Sequence, residues 1–143
     1  MQYVRQGERV QLRFESGEQF SAPLLAWLTR EGIGFATMTG LGAVRGATVS
    51  YYVADTKAYE RHEFDEQMEV VSLVGNVALR EGQPFVNAHV ALGRRDLSLI
   101  GGHLNDLSIY PTLEVWLRPE AEPVRRAFDE SCGLWVMQLP DSA

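Results

Sequence analysis

Two of the three histidines fall in one stretch, Pro84 to Leu104. Asn87 and His89 are two apart in an alternating run, Phe85 to Leu92, that reads as a strand. They therefore point the same way, roughly 6–7 Å apart along it. Gly93-Arg94-Arg95-Asp96 is turn chemistry, and Leu97-Ser98-Leu99-Ile100 reads as a return strand running into Gly101-Gly102-His103. If the two strands pair, His103 comes back beside His89, and two imidazoles and an amide converge on one point. Such a set could hold a metal ion. The two imidazoles would be its strongest ligands, with water, Asn87 or a carboxylate such as Glu114 in the third position. The plain alternative is a polar pair buried in the fold and satisfied by hydrogen bonds.

The remaining elements must position that stretch. Arg9 to Phe14 alternates as a half-buried strand. Phe20, Leu24, Leu25, Trp27 and Leu28 recur at helical spacing, which predicts a helix from about Glu18 to Arg30, with Pro23 in its first turn and Gly32 as its stop. Phe35 to Thr39 reads as a short buried strand, and Gly40-Leu41-Gly42 as a tight turn. The two glycines lack the third glycine and the Lys-Ser/Thr pair of a phosphate loop. Val44 to Val53 and Ala58 to Phe64 form a hairpin. Met68 to Leu79 is the longest strand, carrying Glu69 near its start and a bulge or close approach at Gly75-Asn76. Asn105-Asp106 reads as loop, Thr112 to Leu117 as a strand, Val124 to Glu130 as a short helix behind Pro123, and Leu134 to Leu139 as a final strand. The pattern predicts one α+β domain, residues 1–143, with a large, mainly antiparallel sheet, one N-terminal helix and a short C-terminal helix.

At 143 residues the chain is long enough to bury a real core. No run approaches the ~20 apolar residues of a membrane span, and no signal peptide is visible, so a cytoplasmic protein with no membrane partner is expected. Cys132, the one cysteine, fits that setting. The net charge is −6, and the 13 Lys and Arg are scattered. This disfavours autonomous DNA binding, which leans on a basic patch. Arg94-Arg95 reads as a solvated turn, His62 as a solvated histidine, and Trp27, Trp116 and Trp135 as core or subunit contacts.

Four short strings carry a resemblance when taken in order. They are Thr39-Gly40-Leu41-Gly42-Ala43-Val44, Met68-Glu69-Val70-Val71-Ser72-Leu73 with Gly75-Asn76, Pro84 to Val90, and Gly101-Gly102-His103-Leu104. From about Arg9 to Leu139 the chain resembles the plant-and-prokaryote-conserved (PPC) domain family. The resemblance implies a homotrimer and a DNA association, and points to Gly40, Gly42, Glu69, Gly75, Asn76, Gly101 and Gly102 as motif positions. In plants the DNA association follows AT-hook motifs, and no Arg-Gly-Arg-Pro core stands here. Many prokaryotic members read His-Ala-His where this chain has Asn87-Ala88-His89; with His103 they present three imidazoles, a plausible zinc set. The fold implied is also similar to that of metal-dependent acetolactate decarboxylases, by analogy alone. The expectation is thus a trimeric binding or interaction module with a family-level DNA or regulatory role. The alternatives are a metal-dependent small-molecule enzyme using a His89/His103 site and a binder of a small ligand in a cleft between subunits.

Overall fold

The computed structural model of the chain describes residues 1–139. Alternation of apolar and polar residues sets most of it, and the elements follow in the order β1 (Gln2–Gln6), β2 (Arg9–Glu15), α1 (Ser21–Arg30), β3 (Phe35–Val53), β4 (Ala58–Phe64), β5 (Met68–Arg80), β6 (Gln83–Gly93), β7 (Leu99–Pro119), β8 (Arg125–Asp129) and β9 (Leu134–Gln138). Every pairing is antiparallel except β5 with β8. Strand β3 pairs both β5 and β7, and β6 pairs the same two, so these four strands close a circuit. β2 and β1 extend from β7, β4 from β3, and the β8–β9 hairpin from β5.

The core lies on one face of this sheet. Val10, Leu12 and Phe14 of β2, Leu73 and Val77 of β5, and Leu113, Val115 and Leu117 of β7 are buried there. Helix α1 closes it with Leu24, Trp27 and Leu28, each worth roughly 1.5–3 kcal/mol of burial. The helix start is capped from outside its own sequence. The Asp106 carboxylate on β7 accepts from the backbone N–H of Phe20 at 3.1 Å and of Ser21 at 2.9 Å. An acidic group at this end satisfies free amides and suits the helix dipole.

The structure corrects several expectations. The C-terminal helix expected over Val124 to Glu130 is a strand, β8. Its backbone finds partners on both sides, in β9 and at Leu79 and Arg80 of β5, and a segment this short cannot sustain a helix against such pairing. Gly40 to Gly42 is not a turn. β3 runs straight through as 19 residues, with register shifts at the glycines. β7 is likewise continuous over 21 residues through the expected loop at Asn105-Asp106. Pro111, which cannot donate to a ladder, falls where the β3–β7 register slips between Leu113 and Ile109. β1 had no expected counterpart. All five of its residues are exposed, and its two apolar ones, Tyr3 and Val4, are adjacent, so it shows no apolar-polar alternation.

Candidate ligand cleft

Residues paired directly across two antiparallel strands project from the same face. On β5 and β6, Leu73 pairs Val90 and Gly75 pairs Ala88, with Leu73, Ala88 and Val90 buried toward the core. The alternate pairs, Val74 with His89 and Asn76 with Asn87, therefore face away from it. On that outer face β7 brings His103 directly opposite His89. The two rings lie 5.7 Å apart, centre to centre, at 84°. Asn87 stands on the same face one step along.

The approach of β6 and β7 depends on glycine. A Cβ on Gly101 would sit 2.2 Å from the carbonyl oxygen of Val90, and one on Gly102 would sit 2.7 Å from that of Ser50. His103 is thereby set between β6 and β3, where Ser50 is its cross-strand neighbour. Ser50 is itself buried and donates its hydroxyl to Asn105 Oδ1 at 2.5 Å. The Nδ1 atom of His103 is buried and has no hydrogen-bond partner among the described residues. Burial first, and then the neighbouring His89, pull its pKa below the ordinary 6.5, which favours the neutral imidazole.

Two hairpins wall the site. From β3–β4 come Tyr52 and Tyr59, their rings 5.5 Å apart, with Tyr59 packed 5.0 Å from His103. From β8–β9 come Arg126 and Trp135. Arg126 donates through Nη2 to Asn76 Oδ1 at 2.7 Å and through Nη1 to the Trp135 carbonyl at 2.9 Å. Its Nε is buried without a partner among the described residues. Burial lowers the pKa of Arg126, and burial followed by the nearby Tyr52 raises that of Tyr59. The hairpins also touch each other: the Tyr52 hydroxyl donates to the Cys132 carbonyl, and Lys57 Nζ to that of Glu130 at 3.0 Å. Between floor and walls lies a cleft of about 940 Å³.

The structure brings together His89, His103, Asn87 and, on the neighbouring strand, Asn76. Glu114 is not among them. It sits about 35 Å further along β7 at ~3.3 Å per residue, opposite Arg13 and Leu41. The strand expected as a separate neighbour of the site is the far end of the very strand that carries His103. Glu69 is exposed, paired with Gly93 and Ala43 beside the Glu66–Arg94 ion pair. Gly40 and Gly42 serve the β3–β7 crossing, where a Cβ on Gly42 would lie 2.3 Å from the Thr112 carbonyl. Gly75 serves the β5–β6 approach, where one would lie 2.7 Å from Ala88 Cβ. Tyr59, Arg126 and Trp135 were not anticipated as site residues. The alternation of Arg126 and Phe128 ahead of Gly133 was the available sign of a hairpin with one face inward.

The spacing of the two histidine rings would suit one ion, since a ring centre stands about 3 Å from a metal at Zn–N ~2.0–2.1 Å. The donor set does not reach a resident zinc site, however. Among the described residues no group of three His, Cys, Asp or Glu side chains is placed to hold a metal. The amide of Asn87 is a poor substitute for a third imidazole.

The sequence model of the Plants and Prokaryotes Conserved (PCC) domain matches residues 1–119. Among solved structures, the chain is similar to a "putative DNA binding protein" from Bacteroides thetaiotaomicron, with TM-score 0.92, 26% identity and 96% of each chain covered. It is similar to a metal-containing protein from Archaeoglobus fulgidus, with TM-score 0.86 and 34% identity over 93% of this chain and 94% of that one. A plant- and prokaryote-conserved protein from Pyrococcus horikoshii aligns with TM-score 0.82 and 27% identity, covering 97% of this chain and 95% of that one. No protein in the curated set matches the sequence.

Proposed function

Because the chain belongs to the Plants and Prokaryotes Conserved (PCC) domain family, we propose that it is a homotrimeric binding module whose working site is the cleft floored by His89 and His103. The buried, unpartnered Nδ1 of His103 carries this reading. A buried polar atom left without a partner costs on the order of 1–3 kcal/mol, a cost that a bound ligand can relieve. The cleft's size and mixture of aromatic walls with a few convergent polar groups also suit a small molecule. Thermal melts against a panel of small metabolites test it. Some compounds should raise the melting temperature of the wild type and leave a His103→Phe variant unmoved. A panel that shifts both proteins alike, or neither, overturns the reading.

Trimer formation is supported by the outer face beside the cleft. Val71 and Val74 are each 56% exposed and Leu99 is 63% exposed, an apolar surface that association would cover. Light scattering at micromolar concentration should give three times the 16.0 kDa chain mass. A monomer mass would sink the proposal.

The DNA association stands at the level of the family and of the Bacteroides structure's description. For the isolated chain, the charge of −6 disfavours tight duplex binding, and an affinity in the non-specific range, no tighter than about 10⁻⁶ M at physiological salt, is the expected result. Nanomolar binding to a defined duplex, retained against competitor DNA, would show the DNA role to be this chain's own.

The Archaeoglobus protein's description makes a metal the second reading for the same cleft. His89 and His103 would hold it, at low affinity for want of a third strong ligand.

A further inference from the structure

The charge within the cleft is opposite to that of the protein. The chain carries −6 overall, yet among its described residues no Asp or Glu lines the cleft, while Arg80 and Arg126 do. Carboxylates outnumber cationic side chains by 19 to 13 in the sequence, so their exclusion from the cleft's wall runs against composition. Electrostatic attraction inside such a low-dielectric recess is stronger than on open surface.

The two arginines are arranged differently. Arg126 is fixed by Asn76 and the Trp135 carbonyl, both neutral acceptors, so its charge has no counter-ion among the described residues. Its buried Nε still has a proton to donate. Arg80 lies over the Trp135 ring at 4.5 Å and the Phe85 ring at 5.7 Å, and among the described residues meets a carboxylate only at the exposed Glu81, 3.9 Å away. Two of the five guanidinium N–H groups are taken by these acceptors, and an arginine fork held in this way is preorganised for an oxygen anion. Phe85, Trp135 and Tyr59 give flat apolar walls around it.

We propose that the cleft binds a small carboxylate with a planar, unsaturated or aromatic body, the carboxylate meeting Arg126 and the ring lying among Phe85, Trp135 and Tyr59. This rests on the cleft being the ligand site and specifies the ligand class. It also assigns a binding role to the β8–β9 hairpin, which lies beyond the residues 1–119 matched by the family's sequence model.

Calorimetry with three probes tests it on the full chain: 2-naphthoate, the neutral 2-naphthamide and inorganic phosphate. Naphthoate should bind at least about tenfold more tightly than the amide, the scale of one charge-assisted hydrogen bond. Phosphate, lacking the ring, should bind more weakly than naphthoate. Arg126→Gln should remove the preference for naphthoate over the amide, and Arg126→Lys should restore part of it. Should Arg126→Gln disturb the hairpin, seen as a lowered melting temperature, Arg80→Gln gives a second measure and should weaken naphthoate more than the amide. Equal binding of acid and amide to the wild type overturns the carboxylate assignment while leaving the cleft as a binding site. No binding of either compound overturns the assignment as well, and the panel of melts then decides separately whether the cleft is a site at all. Tight phosphate binding that Arg126→Gln abolishes would replace the planar carboxylate with a simple oxyanion.

Discussion

Asn87→His should raise zinc affinity by on the order of 100-fold over the wild type. Loss of a supporting partner outside the ligand shell already costs metal sites 10–100-fold, and a direct imidazole should count for no less. The geometry is in place without rearrangement of the backbone. Position 87 shares a face with His89, and His103 stands opposite His89 with its ring 5.7 Å away. A third imidazole completes the three-nitrogen set that leaves a fourth position open. Zinc titration of tag-free protein, read by calorimetry, gives the comparison, and His89→Ala on the Asn87→His background should return affinity to wild-type level or below. An unchanged zinc affinity in Asn87→His would mean that residue 87 does not project toward the histidines in solution.

Gly101→Ala should cost about 3 kcal/mol or more, at or above the upper end for inserting a single methyl into packed structure. The new methyl would lie 2.2 Å from the carbonyl oxygen of Val90, and that oxygen belongs to the β6 backbone. Relief requires β6 and β7 to part, which breaks the register that holds His89 against His103. Gly82→Ala is the comparison. Gly82 has φ of +80° with nothing within 4 Å of an added Cβ, so only the left-handed backbone penalty of about 1–2 kcal/mol applies. Denaturant unfolding should rank Gly101→Ala as clearly the worse of the two. Equal costs would mean that the strand contact yields more easily than its distances imply.

The histidine pair was legible because three local signals agreed: alternation over Phe85 to Leu92, a polar turn at Gly93 to Asp96, and a glycine pair before His103. Each is short-range, and together they set which residue lies opposite which. The cleft walls were not legible for the complementary reason. Arg126 acquires its role only when β8 pairs in parallel with β5, a contact between segments far apart in the chain. Local composition around Val124 to Glu130, with proline ahead and charges throughout, points to a helix start, and tertiary pairing overrides it. Glu114 was misplaced because a chain reader divides a strand at proline and polar residues, while the folded β7 absorbs Asn105, Asp106 and Pro111 in one long run. Asn105 and Asp106 turn out to be paired on that strand through their side chains, one to Ser50 and one to the start of α1.

The origin of the two parts of the cleft has a consequence for how its selectivity can be altered. The floor is written into the pairing of β5, β6 and β7, where any side chain larger than glycine at 75 or 101 meets backbone or Cβ at close range. The wall with Arg126, Phe128 and Trp135 belongs to an appended hairpin whose ladder pairing with the sheet is confined, among the described residues, to Leu79 and Arg80 of β5. Side chains on that hairpin can be exchanged without disturbing the ladder beneath. A library confined to residues 126, 128 and 135 would therefore retune what the cleft accepts while the imidazole pair stays in register, so that one sheet could serve chemically unlike guests by exchange of its lining alone.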